Sequence, residues 1–262
     1  MSALSFAKYE GLGNDFLVVE ASVPLPDDAV RRLCDRHFGV GGDGVLVVAP
    51  PTTAGAAATM IVQNADGSRP EMCGNGLRCV ALHLGLSRGM SAGAFVVDTD
   101  AGPRACELDG DAVSVEMGTA RVDAAVTLSL EGRELVFSRV SMGNPHAVTF
   151  ADLGVSALSR FGPQVATHPA FPEGTNVELA SFRPDGSIAV EVWERGVGPT
   201  LACGTGACAV AVDACLRGRA ALGREITVHL PGGPLTIVVS RDLAVRMRGS
   251  ARRVFAGEVA SW

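Results

Sequence analysis

Glu71-Met72-Cys73-Gly74-Asn75-Gly76 and Leu201-Ala202-Cys203-Gly204-Thr205-Gly206 carry one Cys-Gly-x-Gly signature twice, 130 residues apart in a chain of 262. Other pairs keep the same offset: Gly13-Asn14 with Gly143-Asn144, and Asn64 with Glu194. The repeat predicts two matched halves of one duplicated unit, with a thiol from each half on either side of a substrate bound in the cleft between them. Glycine after each cysteine lets backbone approach a ligand closely, and the helix expected next begins with free N–H groups and a partial positive charge. A thiol of pKa ~8.5 is only about 3% ionised at pH 7, whereas one shifted to ~6.5 is about three-quarters ionised. The helix start is therefore expected to lower the thiol pKa while the neighbouring N–H groups grip a substrate carboxylate. One thiolate and one thiol on opposite faces of an α-carbon are the base and acid that inversion of configuration requires. Negative charge that develops in the carboxylate on proton loss would be stabilised by the helix N-termini in a water-poor cleft.

Around these motifs, runs rich in Val, Ile, Thr and Phe alternate with turn signals, which predicts many strands and few helices. Leu108-Asp109-Gly110-Asp111 and Arg183-Pro184-Asp185-Gly186 read as hairpin turns. Helical apolar spacing covers Asp27 to His37 and Asn75 to Ser87 in the first half, and Ser156 to Ala166 and Thr205 to Arg217 in the second. Each half thus reads as strands wrapped around a central helix, an α/β (α+β) fold. The boundary is expected between Met117 and Val122, where strand-like sequence breaks at Gly118, with domains over 1–118 and 119–249.

Composition narrows the chemistry. Hydrophobic residues make up 47% and charged residues 19%, and no apolar stretch approaches the ~20 residues of a membrane helix. The amino-terminal residues lack a secretory pattern, so a cytoplasmic location is expected. A net charge of −6 and the lack of a basic-aromatic cluster argue against nucleic acid and favour a small-molecule substrate. Seven cysteines without a Cys-x-x-Cys pair suggest free thiols rather than a metal or redox centre. Among 22 basic residues only Lys8 is a lysine, and it stands in an apparent first strand without a phosphate cradle. A pyridoxal Schiff base has no other place to form, so no cofactor is expected. Gly39-Val40-Gly41-Gly42-Asp43-Gly44 matches a dinucleotide-binding pattern, but a helix precedes it and a strand follows, the reverse of the required order.

Polar residues in turns complete the candidate site. Asn14, Asn64, Asn144 and Asn176 sit at strand ends or in Gly-containing turns, and Glu194-Arg195 shortly precede the second cysteine. Their amides and one guanidinium suit a second ammonium and a second carboxylate on the substrate. His146 and Glu194 are titratable neighbours suited to tuning the thiols. A non-enzymatic thiol protein, either a redox sensor or a metal carrier, is the competing class.

Six motifs in order resemble the diaminopimelate epimerase family: Gly11-Leu12-Gly13-Asn14-Asp15-Phe16, Asp35 through Gly41, Asn64 through Gly76, Met142-Gly143-Asn144-Pro145-His146, Thr175-Asn176-Val177-Glu178, and Trp193 through Gly206. The resemblance implies a pyridoxal-independent epimerase that interconverts LL- and meso-2,6-diaminopimelate, a diamino dicarboxylic acid, in bacterial lysine and peptidoglycan-precursor synthesis. It implies two pseudo-symmetric domains, each a mixed barrel-like sheet around a central helix, with terminal residues 250–262 returning to the first domain. By motif, Cys73 and Cys203 are the acid/base pair, modulated by His146 and Glu194. Asn14, Asn64, Gly74, Asn75, Asn144, Asn176, Glu194, Arg195, Gly204 and Thr205 contact substrate. Relatives form homodimers through a region where many carry tyrosine and this chain has Phe255, so the hydroxyl contact is lost. Proline racemases, phenazine-pathway isomerases and histidine racemases are sister activities. The first usually carry histidine where Asn75 stands, and the phenazine type lacks the cysteine pair.

Overall fold

The computed structural model describes residues 3–154 and 156–260. Met1 and Ser2 of the amino-terminal reading, and Ser261 and Trp262 of the expected terminal strand, lie outside the described residues. Two compact units form, one of residues 1–115 with 249–262 and one of residues 116–248.

The first unit contains β1 (Leu4–Gly11), β2 (Asn14–Glu20), α1 (Asp27–Cys34), β3 (Gly44–Ala49), β4 (Ala58–Asn64), α2 (Gly74–Ser87), β5 (Ala92–Asp98), β6 (Arg104–Asp109) and the start of β7 (Ala112–Thr119). The second contains β8 (Arg121–Leu130), β9 (Arg133–Ser141), β10 (Pro145–Thr149), α3 (Ala157–Ala166), β11 (Asn176–Phe182), β12 (Ile188–Glu194), β13 (Gly198–Thr200), α4 (Gly204–Leu216), β14 (Glu225–Leu230), β15 (Gly233–Val239) and most of β16 (Ala244–Ser250). The last strand, β17 (Arg252–Val259), pairs antiparallel with β1 and so belongs to the first unit.

Strand pairing repeats in kind. In the first unit β17, β1 and β2 run antiparallel in turn, β2–β3 is parallel, β3–β4 antiparallel, β4–β5 parallel, and β5–β6–β7 antiparallel. In the second unit β8–β9–β10 are antiparallel, β10–β11 parallel, β11–β12 antiparallel, β12–β14 parallel, and β14–β15–β16 antiparallel. β17 therefore holds, at the far end of the sequence, the place that β8 holds in the second unit.

Each sheet wraps its own helix because that helix is buried on nearly every side and is mostly apolar, with Asn75 and Arg78 of α2 and Asp213 of α4 as buried polar exceptions. Eleven of the 14 residues of α2 are buried, and eleven of the 13 in α4. α2 touches strands β1 to β6 and β17, and α4 touches β9 to β12, β14 and β15. Alanine, glycine and cysteine dominate Gly204-Thr205-Gly206-Ala207-Cys208-Ala209, so the strands approach closely. A second layer covers the outer face. In β3, Val45 and Val47 face a cluster with Val30 and Leu33 of α1, while Leu46 lies against Gly76 of α2. All three β3 side chains are fully buried, each contributing about 1.5–3 kcal/mol by removal from water. That two-sided burial is why Val45-Leu46-Val47-Val48 shows no alternation. α3 covers the corresponding face of the second unit, with Phe161 and Val165 packed on Val177 and Phe137.

The expected helices are present, with one correction. The first ends at Cys34 rather than His37, because Asp35 turns extended (φ −60°, ψ 123°) and its Oδ1 accepts from the backbone N–H of His37 and Phe38, both at 2.8 Å. A side chain that bonds its own following backbone competes with helix continuation. Asp98, at the end of β5, is held by residues distant in sequence: it accepts from the hydroxyls and backbone N–H groups of Thr52 and Thr53 at 2.5–2.9 Å. Led by the Thr53 hydroxyl, these bonds hold its pKa down at about 2. Because the folded value lies below the unfolded ~3.9, the stabilisation is present above that value and is lost as pH falls through about 2. Asp98→Asn should therefore be less stable than the parent in urea at pH 7, with a gap that narrows below about pH 4. A gap unchanged down to pH 2.5 would argue against this linkage. Among the described residues no helix is long and apolar enough to cross a membrane.

Candidate active site

Each cysteine is the N-cap of its central helix. Cys73 (φ −138°, ψ 112°) precedes α2 and Cys203 (φ −121°, ψ 105°) precedes α4, both extended as an N-cap requires. The Cys73 sulfur accepts the Gly76 N–H at 3.3 Å, and the Cys203 sulfur accepts that of Gly206 at 3.4 Å. Sulfur thus takes the part usually played by a serine or aspartate oxygen, and Gly74, Asn75, Gly204 and Thr205 form the first turns.

The neighbours match as well. Asn75 Nδ2 donates to Asn14 Oδ1 at 3.1 Å in the first unit, and Asn144 Nδ2 donates to Thr205 Oγ1 at 3.3 Å in the second, partners 61 residues apart in both cases. Asn14 and Asn144 each follow a glycine with positive φ, Gly13 at 83° and Gly143 at 97°, a conformation that needs no Cβ.

In the first unit a charged network stands behind Asn14. Its Nδ2 donates to Asp43 Oδ2 at 2.7 Å, and Arg36 bridges Asp43 and Asp15 at 2.8 and 2.7 Å. Lys8, the single lysine, is buried, pairs with Asp15 at 2.5 Å and donates to the Gly41 carbonyl. Asn64 stands at the end of β4, where its Nδ2 donates to Ser68 Oγ at 2.9 Å.

In the second unit Asn176 organises the far side. Its Nδ2 donates to the Pro145 carbonyl at 3.2 Å and its Oδ1 accepts the Arg195 N–H at 2.8 Å. The Arg195 guanidinium is exposed and holds the Glu173 carbonyl at 2.7 Å. Glu194 accepts the Thr200 hydroxyl at 2.6 Å, and burial raises its carboxyl pKa, with the nearby Glu178 carboxylate adding to the rise. His146 is buried, with Nδ1 at 2.7 Å from Glu178 Oε1 and Nε2 at 3.0 Å from Asn144 Oδ1.

The expectation that the helix start leaves Cys203 easily ionised is corrected. Burial pushes its thiol well above the ordinary range, the carboxylates of Glu194 and Glu178 push the same way, and the Thr205 hydroxyl and Gly206 N–H oppose them. Water removal outweighs a helix terminus here because Cys203 is only 5% exposed. Burial also raises the bystanders Cys79 and Cys106 to about 12 and Cys34 to about 11, which makes them inert core. No group of three His, Cys, Asp or Glu among the described residues is arranged to hold a metal.

Sequence reading did not single out Glu178 or Asp43 as site residues. Glu178 is two residues beyond Asn176 on β11 and so shares its face, which was the available signal. Asp43 lies in the glycine-rich stretch set aside as a false dinucleotide pattern.

A family model described as diaminopimelate epimerase matches residues 6–122 and 138–254, one match in each half. Diaminopimelate epimerase of Desulforudis audaxviator is 46% identical, with 97% of this chain and 99% of that protein aligned. The Synechocystis enzyme of the same name is 42% identical over 98% of this chain and 99% of its own length. Among solved structures, a phenazine biosynthesis protein of the PhzF family from Bacillus anthracis aligns with a TM-score of 0.79 at 15% identity, covering 99% of each chain. At that identity the likeness concerns the fold.

Proposed function

The chain belongs to the diaminopimelate epimerase family, and we infer that it interconverts LL- and meso-2,6-diaminopimelate by a cofactor-independent two-base reaction in lysine and peptidoglycan-precursor synthesis. The observation that carries this reading is the matched pair of helix-capping cysteines, each beside an amide–amide or amide–hydroxyl pair at the same spacing. One sulfur removes the α-proton as thiolate, and the other, as thiol, delivers a proton to the opposite face. Free N–H groups at the starts of α2 and α4 suit the substrate carboxylate, where charge grows in the transition state. The reading requires both thiols to address one α-carbon. Arg195, Asn176 and Asn64 are assigned to the distal ammonium and carboxylate, which distinguish this substrate from a simple amino acid.

The buried, ion-paired state of Lys8 supports a reaction without pyridoxal, since no second lysine exists. Cysteines without disulfide bonds throughout the described residues suit a reducing compartment, and we place the activity in the cytoplasm.

Purified protein incubated with LL-diaminopimelate in deuterated water, with reductant and no added cofactor, should release the meso isomer carrying deuterium at one α-carbon. Absence of both exchange and meso product would overturn the assignment. Turnover of proline instead would transfer the two-thiol chemistry to a sister activity.

A further inference from the structure

Behind Cys203 a buried carboxylate begins a chain of polar contacts that ends on the sulfur. Glu178 Oε1 lies 2.7 Å from His146 Nδ1, His146 Nε2 lies 3.0 Å from Asn144 Oδ1, Asn144 Nδ2 donates to Thr205 Oγ1 at 3.3 Å, and Thr205 Oγ1 lies 3.5 Å from Cys203 Sγ. Every link belongs to the second unit. The side chains of His146 and Glu178 are wholly removed from solvent. Glu178 Oε2 has no hydrogen-bond partner among the described residues, so His146 is the group that compensates this buried carboxylate. An oxygen faces each ring nitrogen of His146. A neutral ring donates from only one nitrogen and would set the lone pair of the other against an oxygen, whereas a ring protonated on both donates to both.

We propose that Glu178 is a positioning residue of the epimerase site: its carboxylate holds His146 protonated on both ring nitrogens, which turns Asn144 and Thr205 so that each donates toward the Cys203 sulfur. With Nε2–H committed to the Asn144 carbonyl, the amide presents its NH2 to the Thr205 oxygen. That oxygen is then free to point its own hydrogen at sulfur. The bonds share one direction and strengthen one another in a low-dielectric interior. Their effect on Cys203 opposes the burial and the through-space repulsion of the Glu194 and Glu178 carboxylates, all of which disfavour the thiolate. Two charges buried as one hydrogen-bonded pair also avoid the cost of either one alone. The chain thus keeps a deeply buried thiol within reach of both of its protonation states, as a residue that alternates between acid and base requires.

The rate readout rests on the epimerase reading, but the protonation readout does not. Nitrogen-15 spectra of the histidine rings, with the His146 signals assigned by their loss in His146→Gln, should show a ring protonated on both nitrogens in the parent at the pH of the activity assay. In Glu178→Gln, close in shape but uncharged, the same ring should be neutral. Turnover in that variant should fall about 10- to 100-fold, the scale on which carboxylates that orient histidines act elsewhere, with little change in KM. A neutral His146 in the parent overturns the proposal without any variant being needed. So does a Glu178→Gln protein whose ring and turnover both match the parent. A doubly protonated ring in a protein that never epimerises diaminopimelate would sink the functional reading and leave the pair standing. An active enzyme with a neutral His146 would do the reverse.

Discussion

Alanine in place of either Cys73 or Cys203 is expected to lower epimerisation at least about 10³-fold, because each substitution removes the proton carrier for one face of the α-carbon and general acid–base groups contribute on that scale. The loss should be far larger than the damage to the fold. In both cases the sulfur caps its helix by accepting a glycine N–H, from Gly76 or Gly206, and deletion of an N-cap acceptor costs about 1 kcal/mol. Each variant should therefore melt cooperatively, a few degrees below the parent, while its conversion of LL- to meso-substrate is lost. Chromatographic separation of the stereoisomers measures the rate, and calorimetry measures the fold. Parental turnover in either variant would refute the two-base scheme. A competing role as a redox or metal-carrying thiol protein predicts no turnover in the parent at all.

Gly206→Ala is expected to be more damaging than Gly76→Ala. A Cβ at Gly206 would stand 2.7 Å from Glu178 Oε1 and 3.3 Å from the Cys203 sulfur. Neither has an easy retreat, since Glu178 is buried and held by His146 at 2.7 Å. Overpacking of this kind costs about 1–3 kcal/mol. Displacement of the thiol by about 1 Å would lower turnover on the order of 10²-fold. At Gly76 the added Cβ meets Leu46 Cδ2 at 2.8 Å, a methyl at the end of a side chain that has other rotamers, and Cys73 lies farther off at 3.5 Å. Thermal melts and initial rates of the two variants, compared directly, decide the matter. Equal rates in the two would show that Glu178 and Cys203 move aside freely.

Particular elements show how far the sequence could be read. Both central helices begin where the Cys-Gly-x-Gly signatures place them, because an N-cap and its first turn are local features that neighbouring residues determine. The hairpins at Asp109-Gly110 and Asp185-Gly186 follow for the same reason, each closed by short-range backbone bonds. The end of α1 was missed because the Asp35 carboxylate, rather than the apolar spacing through His37, decides it. Glu10, just before the first glycine turn, accepts the Gly13 N–H at 3.0 Å and the Arg252 guanidinium at 3.0 Å, tying that turn to β17. Phe255 packs edge-on against Phe6 with ring centroids 5.7 Å apart.

The duplicated signature, read alone, already determined that the chain has two equivalent halves, that each presents a cysteine at a helix start, and that asparagines accompany both. Those statements depend on spacing and residue type, which the sequence carries directly. What each thiol experiences was decided only by tertiary structure. The carboxylates that raise Cys203 come from β11 and β12, and His146 that joins Glu178 to Asn144 comes from β10. Burial, which outweighs the helix terminus at Cys203, is a property of the packed sheet around α4. Electrostatic effects of this kind depend on distance and on exclusion of water, and neither quantity exists until strands far apart in sequence have closed around the sulfur.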